Sequence, residues 1–129
     1  MGRGIRHVTR KDRMKARTYL YVVTRRDMTP GYQGVQSIHA ALEFAALYPD
    51  TFMYWNLSSN YLCWLSVKDE AVLASYLRAA EAKGIKSVGF YEPDIGDQLT
   101  AIAIESGRRS ALMLRTLPLA LKAYRKKGK

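Results

Sequence analysis

The sequence predicts an α/β fold, a three-layer α/β/α sandwich built on a mixed four-stranded sheet, and three observations carry that expectation. Short runs rich in aromatic and β-branched residues, among them TYLYVVT and YLCWLSV, read as strands interior to a sheet. Longer runs between them repeat apolar residues at helical spacing and are bounded by Thr-Pro, Asp and Gly. The two kinds follow one another as β-α-β-α-β-β-α, which calls for helices packed on a sheet with parallel and antiparallel neighbours. At 129 residues the chain suits one such domain, over residues 18 to 124, with basic extensions at 1 to 17 and 125 to 129. The sequence shows no internal repeat and no low-complexity segment.

Residues 1 to 17 have few apolar side chains and two early glycines, and are expected to be mobile until bound to something. Thr18 to Thr24 is the first strand and delivers the chain to Arg25, Arg26 and Asp27. Thr29 can cap a helix with its hydroxyl, Pro30 suits the first helical position, and Val35, Ile38, Leu42 and Ala45 recur at helical spacing. The helix is expected to run from about Pro30 to Tyr48, where Pro49-Asp50 ends it. Gln36, His39 and Glu43 form a neighbouring polar stripe, either the solvated side of the helix or the wall of a cleft. The following TFMYWNLSSN is expected to be a loop whose aromatic residues cover the core or, alternatively, stack on bases.

Tyr61 to Val67 is the second strand. Asp69 and Glu70 open a helix with Val72, Leu73, Tyr76, Leu77 and Ala80 on its apolar face, and Gly84 closes it in the C′ position. Ile85 to Tyr91 and Leu99 to Glu105 are the third and fourth strands. Between them EPDIGDQ holds Pro93 and Gly96, which shape a tight loop, and Asp94, Asp97 and Gln98, which offer polar groups. The apolar run from Ala111 to Leu121, interrupted by Pro118, is expected to dock as one or two short helices.

Cys63 is the single cysteine, so neither an intrachain disulfide nor a cysteine metal cluster can form, and an intracellular, cytoplasmic setting is the expectation. No stretch approaches the roughly 20 apolar residues of a membrane span. The formal net charge of +10 is segregated: residues 1 to 17 contribute +6 and residues 108 to 129 contribute +8, whereas the middle carries −4. Basic ends on a mildly acidic body suit a polyanion, most plausibly RNA or DNA. The first turn of the Pro30 helix, with unpaired N–H groups and Arg25 and Arg26 beside it, suits a phosphate.

The strand leading to Arg26-Asp27, the Pro30-Gly31 turn, Gln36-x-x-His39-Ala40-Ala41, Asp94-x-Gly96 and Thr100-Ala-Ile-Ala-Ile104 stand in an order that resembles the type II, archaeal and eukaryotic, peptidyl-tRNA hydrolases. The resemblance covers about residues 18 to 106. It implies an α/β/α enzyme that hydrolyses the ester between a peptide and the 3′ end of tRNA, with no organic cofactor and no metal; a homodimer is left open. Residue by residue, it implies catalysis by Asp94 or His39 as general base, with donors from Gln36 and Thr100. Arg25, Arg26, Asp27, Gly31, Gln33 and Gln98 are the implied substrate contacts, joined by Lys126 and Lys127 of the basic tail. The family's turn commonly carries a lysine in a GKGK-like run. Here that segment is Pro30-Gly31-Tyr32-Gln33-Gly34, so either Arg25 or Arg26 supplies the positive charge or the activity is altered. The alternatives are an RNA-binding protein of the same fold without the chemistry, and a protein-interaction module.

Overall fold

The computed structural model describes residues 18–122. The extension at 1 to 17 and the tail at 125 to 129, with Lys126 and Lys127, lie outside the described residues. In β1 (Tyr19–Arg25) successive side chains alternate between two cores, because a strand turns neighbouring residues to opposite faces. Leu20 and Val22 join one core, Tyr21 and Val23 the other. β4 (Gln98–Ile104) repeats the pattern, with Ala101 and Ala103 on the first side and Ile102 and Ile104 on the second. Both strands are therefore apolar on both faces, as central strands must be when helices cover the sheet from two sides.

The sheet is mixed and four-stranded, as predicted, in the order β2-β1-β4-β3, with β2 at Tyr61–Val67 and β3 at Ser87–Glu92. β1 pairs parallel with β2 from Tyr19↔Tyr61 to Arg25↔Val67, and antiparallel with β4. β3 and β4 form an antiparallel hairpin joined through a 3-10 turn, Pro93–Ile95. Helices α1 (Pro30–Leu47) and α2 (Pro49–Ser58) form the crossover that connects β1 to β2, which a parallel pair requires. α1 contributes Ala40 and Phe44, and α2 Trp55, to the core on one face. On the other, α3 (Glu70–Ala82) buries Leu73, Leu77 and Ala80 against Val23, Val67 and Ile102, and α4 (Arg108–Leu114) adds Leu114. Each such fully buried Leu or Phe stabilises the fold by roughly 1.5–3 kcal/mol relative to exposure.

The end signals of α3 act as expected: the Asp69 carboxylate accepts the Val72 N–H at 3.1 Å, and Gly84 takes the left-handed conformation, φ +70°, beyond the C-cap. Two other expectations need correction. Thr29 caps α1 through its backbone carbonyl, which accepts the Gln33 N–H at 2.9 Å, and its hydroxyl makes no cap bond. The segment expected to be a loop after Pro49 is helix α2. Proline cannot continue α1, yet its fixed φ suits the first position of a new helix, and Asp50 favours the positive end of that helix. Of its aromatic residues, Trp55 enters the core and its indole N–H donates to Tyr61 O at 2.9 Å, whereas Tyr54 stays exposed. The C-terminal apolar run, expected to dock as one or two short helices, does so through α4, and the described chain continues past it without a second α-helix. Ser66 N donates to Pro118 O and Ala120 N to Trp64 O, so this segment pairs with the outer edge of β2.

The faces of α1 are reversed relative to its apolar spacing. Its buried residues are Gln33, Gln36, Ser37, Ala40 and Phe44, whereas Val35, Ile38 and Leu42 are 51%, 61% and 62% exposed. Buried polar groups persist in a core when they find partners, and three of them do. Gln36 bonds to Glu92 and Thr100, the Ser37 hydroxyl accepts the Trp64 indole N–H at 2.8 Å, and the Gln33 amide donates to Met28 O at 2.7 Å.

Candidate active site

Because β1 and β3 finish where β4 begins, and α1 starts immediately after β1, four distant parts of the sequence meet at one end of the sheet. Two polar networks occupy this end. In the first, the Arg25 guanidinium grips Asp27 through Nε to Oδ1 at 2.8 Å and Nη2 to Oδ2 at 2.9 Å, a fork-to-fork pair. Its Nη1 donates to Gln98 Oε1 at 2.8 Å and to Leu99 O at 3.1 Å. The Asp27 carboxyl is held below the usual range, first by the hydrogen bond from Arg25 and then by its charge. Arg25, Asp27 and Gln98 thus clamp the strand ends to one another. Arg25 is buried, and its donors are turned inward rather than toward a phosphate.

In the second network Thr100 Oγ1 donates to Gln36 Oε1 at 2.6 Å and Gln36 Nε2 donates to Glu92 Oε1 at 2.9 Å. Glu92 Oε2 accepts the Asp94 backbone N–H at 3.0 Å. This relay fixes the amide orientation of Gln36 and holds the loop bearing Asp94 against α1. The backbone N–H of Asp94, then the Gln36 amide, keep the Glu92 carboxyl below its ordinary range, so it is an acceptor at neutral pH. Gln36 and Thr100 are 1% and 0% exposed, and both are bonded to protein partners. Gln33 is likewise buried, with Oε1 unpaired, and braces the turn from inside.

The rim of the site is exposed Asp94, His39, Gly31 and Arg26 with half-buried Tyr32. The His39 imidazole lies flat on Phe90, with ring centroids 4.3 Å apart and planes within 5° of each other. Its ring is oriented by this stacking. The Tyr32 phenol is pushed up by desolvation first and by the Glu92 and Asp94 carboxylates next, so it is protonated and able to donate at neutral pH. Gly96 makes the sharp return from the 3-10 turn with φ +76°, a conformation that a side chain disfavours.

Glu92, Tyr32 and Lys68 are absent from the sequence-based site. Glu92 was legible only as part of the EPDIGDQ loop, since nothing local marks it as the acceptor joining α1 to that loop. Lys68 had a signal in the two equal apolar runs: their parallel register sets Arg25 beside Val67, Arg26 N bonds to Val67 O at 2.9 Å, and exposed Lys68 follows. Arg26 and Lys68 are therefore the cations that this end of the sheet turns to solvent. Among the described residues no three His, Cys, Asp or Glu side chains are grouped to hold a metal ion. None of the described helices is long and apolar enough to cross a membrane.

An exposed carboxylate, an oriented imidazole, a protonated phenol and two cations beside a helix N-terminus can move protons and hold an anion. No family model matches the chain, and no curated protein matches it in sequence.

Proposed function

We propose that this protein hydrolyses the ester that joins a peptide to the 3′ end of tRNA, working in the cytoplasm. The observation that carries the reading is that the motifs whose order resembles type II peptidyl-tRNA hydrolases are far apart in the chain yet converge through the Thr100–Gln36–Glu92 relay. In this reading Asp94 or His39 takes a proton from the water that attacks the ester carbonyl. The tetrahedral oxyanion then collapses, the ribose oxygen leaves with a proton, and peptide acid and free tRNA are the products. Tyr32 is the donor at the rim for the oxyanion or the leaving oxygen. Arg26 and Lys68 take the terminal phosphates, which answers the missing turn lysine with cations just beyond the ends of β1 and β2. The segregated basic ends add a salt-sensitive attraction for the tRNA body.

Single-turnover release of peptide from a labelled N-acylated aminoacyl-tRNA tests this. Asp94→Asn is expected to slow release by about 10²–10⁴-fold while leaving tRNA affinity nearly unchanged, the usual scale for losing a general base. Unchanged release would remove Asp94 from the mechanism. The absent turn lysine and the inward-facing Arg25 favour one second reading, an RNA-binding protein without the chemistry. It predicts bound tRNA and no release by the unaltered protein.

A further inference from the structure

The two edges of the sheet are finished differently. The outer edge of β2 is covered by the segment that pairs Leu119 with Leu65, whereas β3 is the last strand on its side and no described strand pairs with its outer edge. The ladder shows which groups this leaves open. Glu105 N donates to Lys86 O at 3.0 Å, so these residues form a hydrogen-bonded pair, and such pairs alternate along an antiparallel ladder. Val88 and Phe90 therefore bond to β4, and Ser87 and Gly89 turn their N–H and C=O groups outward. Ser87 O accepts the Tyr48 hydroxyl at 3.1 Å, which closes the first part of the edge. Beyond the register shift after Phe90, Tyr91 stands opposite Leu99, whose N–H goes to Glu70 and whose carbonyl accepts from Arg25, so Tyr91 faces outward as well. From Gly89 to Tyr91 the edge is a short row of main-chain groups without the Lys or Pro that commonly blunts such edges, a template on which an extended chain can pair.

We propose that this edge binds the peptide of the substrate as an added strand running parallel to β3; the identity of the ligand rests on the hydrolase reading above. β3 ends at Glu92, and Asp94 of the rim follows two residues later. The bond to be cleaved is at the carboxyl end of the peptide, so a peptide laid on this edge brings that end to Asp94 only if it runs in the direction of β3. In a parallel pair each outward residue bonds to the residues on either side of its own position, so Gly89 and Tyr91 together reach about five residues of peptide. Such pairing reads the main chain and leaves the peptide sequence free to vary.

Charge sorts the two parts of the substrate in the same way. In the order β2-β1-β4-β3, Lys68 and Arg26 follow the strands on one side of the sheet, and Asp94 follows the strand at the opposite edge. Phosphates held by the two cations leave the uncharged peptide to the β3 side. There Ser87–Glu92 carries no Lys or Arg, and its single acid, Glu92, is turned inward to Gln36. His39, stacked on Phe90, stands over the same strand, so both candidate bases border the path of the peptide. A second copy of the chain suits the edge less well, because it would bring together two molecules that each carry +10.

The test measures binding apart from catalysis. N-acetylated alanine peptides of increasing length, joined to the 3′ end of tRNA by an amide in place of the ester, are titrated with the full chain. Affinity is expected to rise about 10-fold between one residue and about five and then to level off, the scale of a few main-chain hydrogen bonds. N-methylation of single amides in the longer peptide is expected to lower affinity at alternate positions only, the period of a strand. Tyr91→Pro removes an outward donor that β4 does not use, and is expected to reduce the gain with length while leaving the affinity of the one-residue conjugate unchanged. Affinity independent of length overturns the proposal, as does equal loss on N-methylation at every position, and both readouts need only the unaltered protein. Ester-linked conjugates, followed for release, judge the hydrolase reading separately. Affinity that grows with length but without release would overturn that reading and leave the peptide site standing; release with affinity blind to length would do the reverse. Affinity blind to length, together with a dimer that Tyr91→Pro dissociates, would assign the edge to a second copy and overturn the proposal too.

Discussion

Gln36 commits both ends of its amide inside the protein, the oxygen to Thr100 and the nitrogen to Glu92, and this decides what the surrounding substitutions should do. Thr100→Val keeps the shape of the side chain and removes the hydroxyl, leaving Gln36 Oε1 buried without that donor. A stability loss of about 1–3 kcal/mol is expected, measured as a lower urea midpoint with an unchanged m-value. A midpoint within error of the unaltered protein would show that the relay contributes little to the fold. The sequence marked Gln36 and Thr100 as candidate donors by their place in a motif order, but their bond to each other was not legible there. Hydrogen-bond direction and burial depend on a contact between positions 36 and 100, which no local pattern encodes.

Gly89 in β3 shows how an element's packing is set by its neighbours. A Cβ added there would stand 2.6 Å from Leu99 Cδ1 and 2.9 Å from Leu77 Cδ2, so α3 approaches β3 over a position where a side chain fits only if those leucine ends shift. Gly89→Ala asks two flexible leucine ends to shift, whereas Gly89→Val must also place two methyl groups. For the valine variant a loss of about 1–3 kcal/mol is expected, with the alanine variant closer to the parent in thermal unfolding. Equal stability of all three would mean that α3 can move away freely. Element existence was legible because strands and helices have different apolar periods, and the caps of α3 were legible because Asp69 and Gly84 act within a few residues of their own positions. The beginning of α2 was hidden because the same proline that ends one helix can open another.

At the scale of the whole molecule, the two carboxylates that hold the site end together also set the response to acid. Asp27 and Glu92 have folded-state pKa values below their unfolded ones, so each contributes stability that is present above the unfolded value, about 4 for such groups, and is lost as pH falls through the folded value. Acidification adds positive charge to a chain already at +10, which works in the same direction. Stability is therefore expected to fall below about pH 4, and Glu92→Gln should flatten that fall in urea unfolding followed against pH. An unchanged slope in the variant would remove Glu92 from the acid response.

By itself the sequence determined the α/β class, the mixed four-stranded sheet, the segregation of charge to the two ends and the order of motifs. These follow from periodicity, composition and short-range signals that each segment carries alone. Only the tertiary structure decided which side of α1 faces inward. Its apolar stripe is locally the better candidate for burial, but Glu92, Thr100, Trp64 and Met28 supply partners for its polar side, and that satisfaction depends on residues brought from the rest of the chain. The same contacts drew Arg25 inward, left Arg26 and Lys68 at the rim, and turned Val35, Ile38 and Leu42 toward solvent.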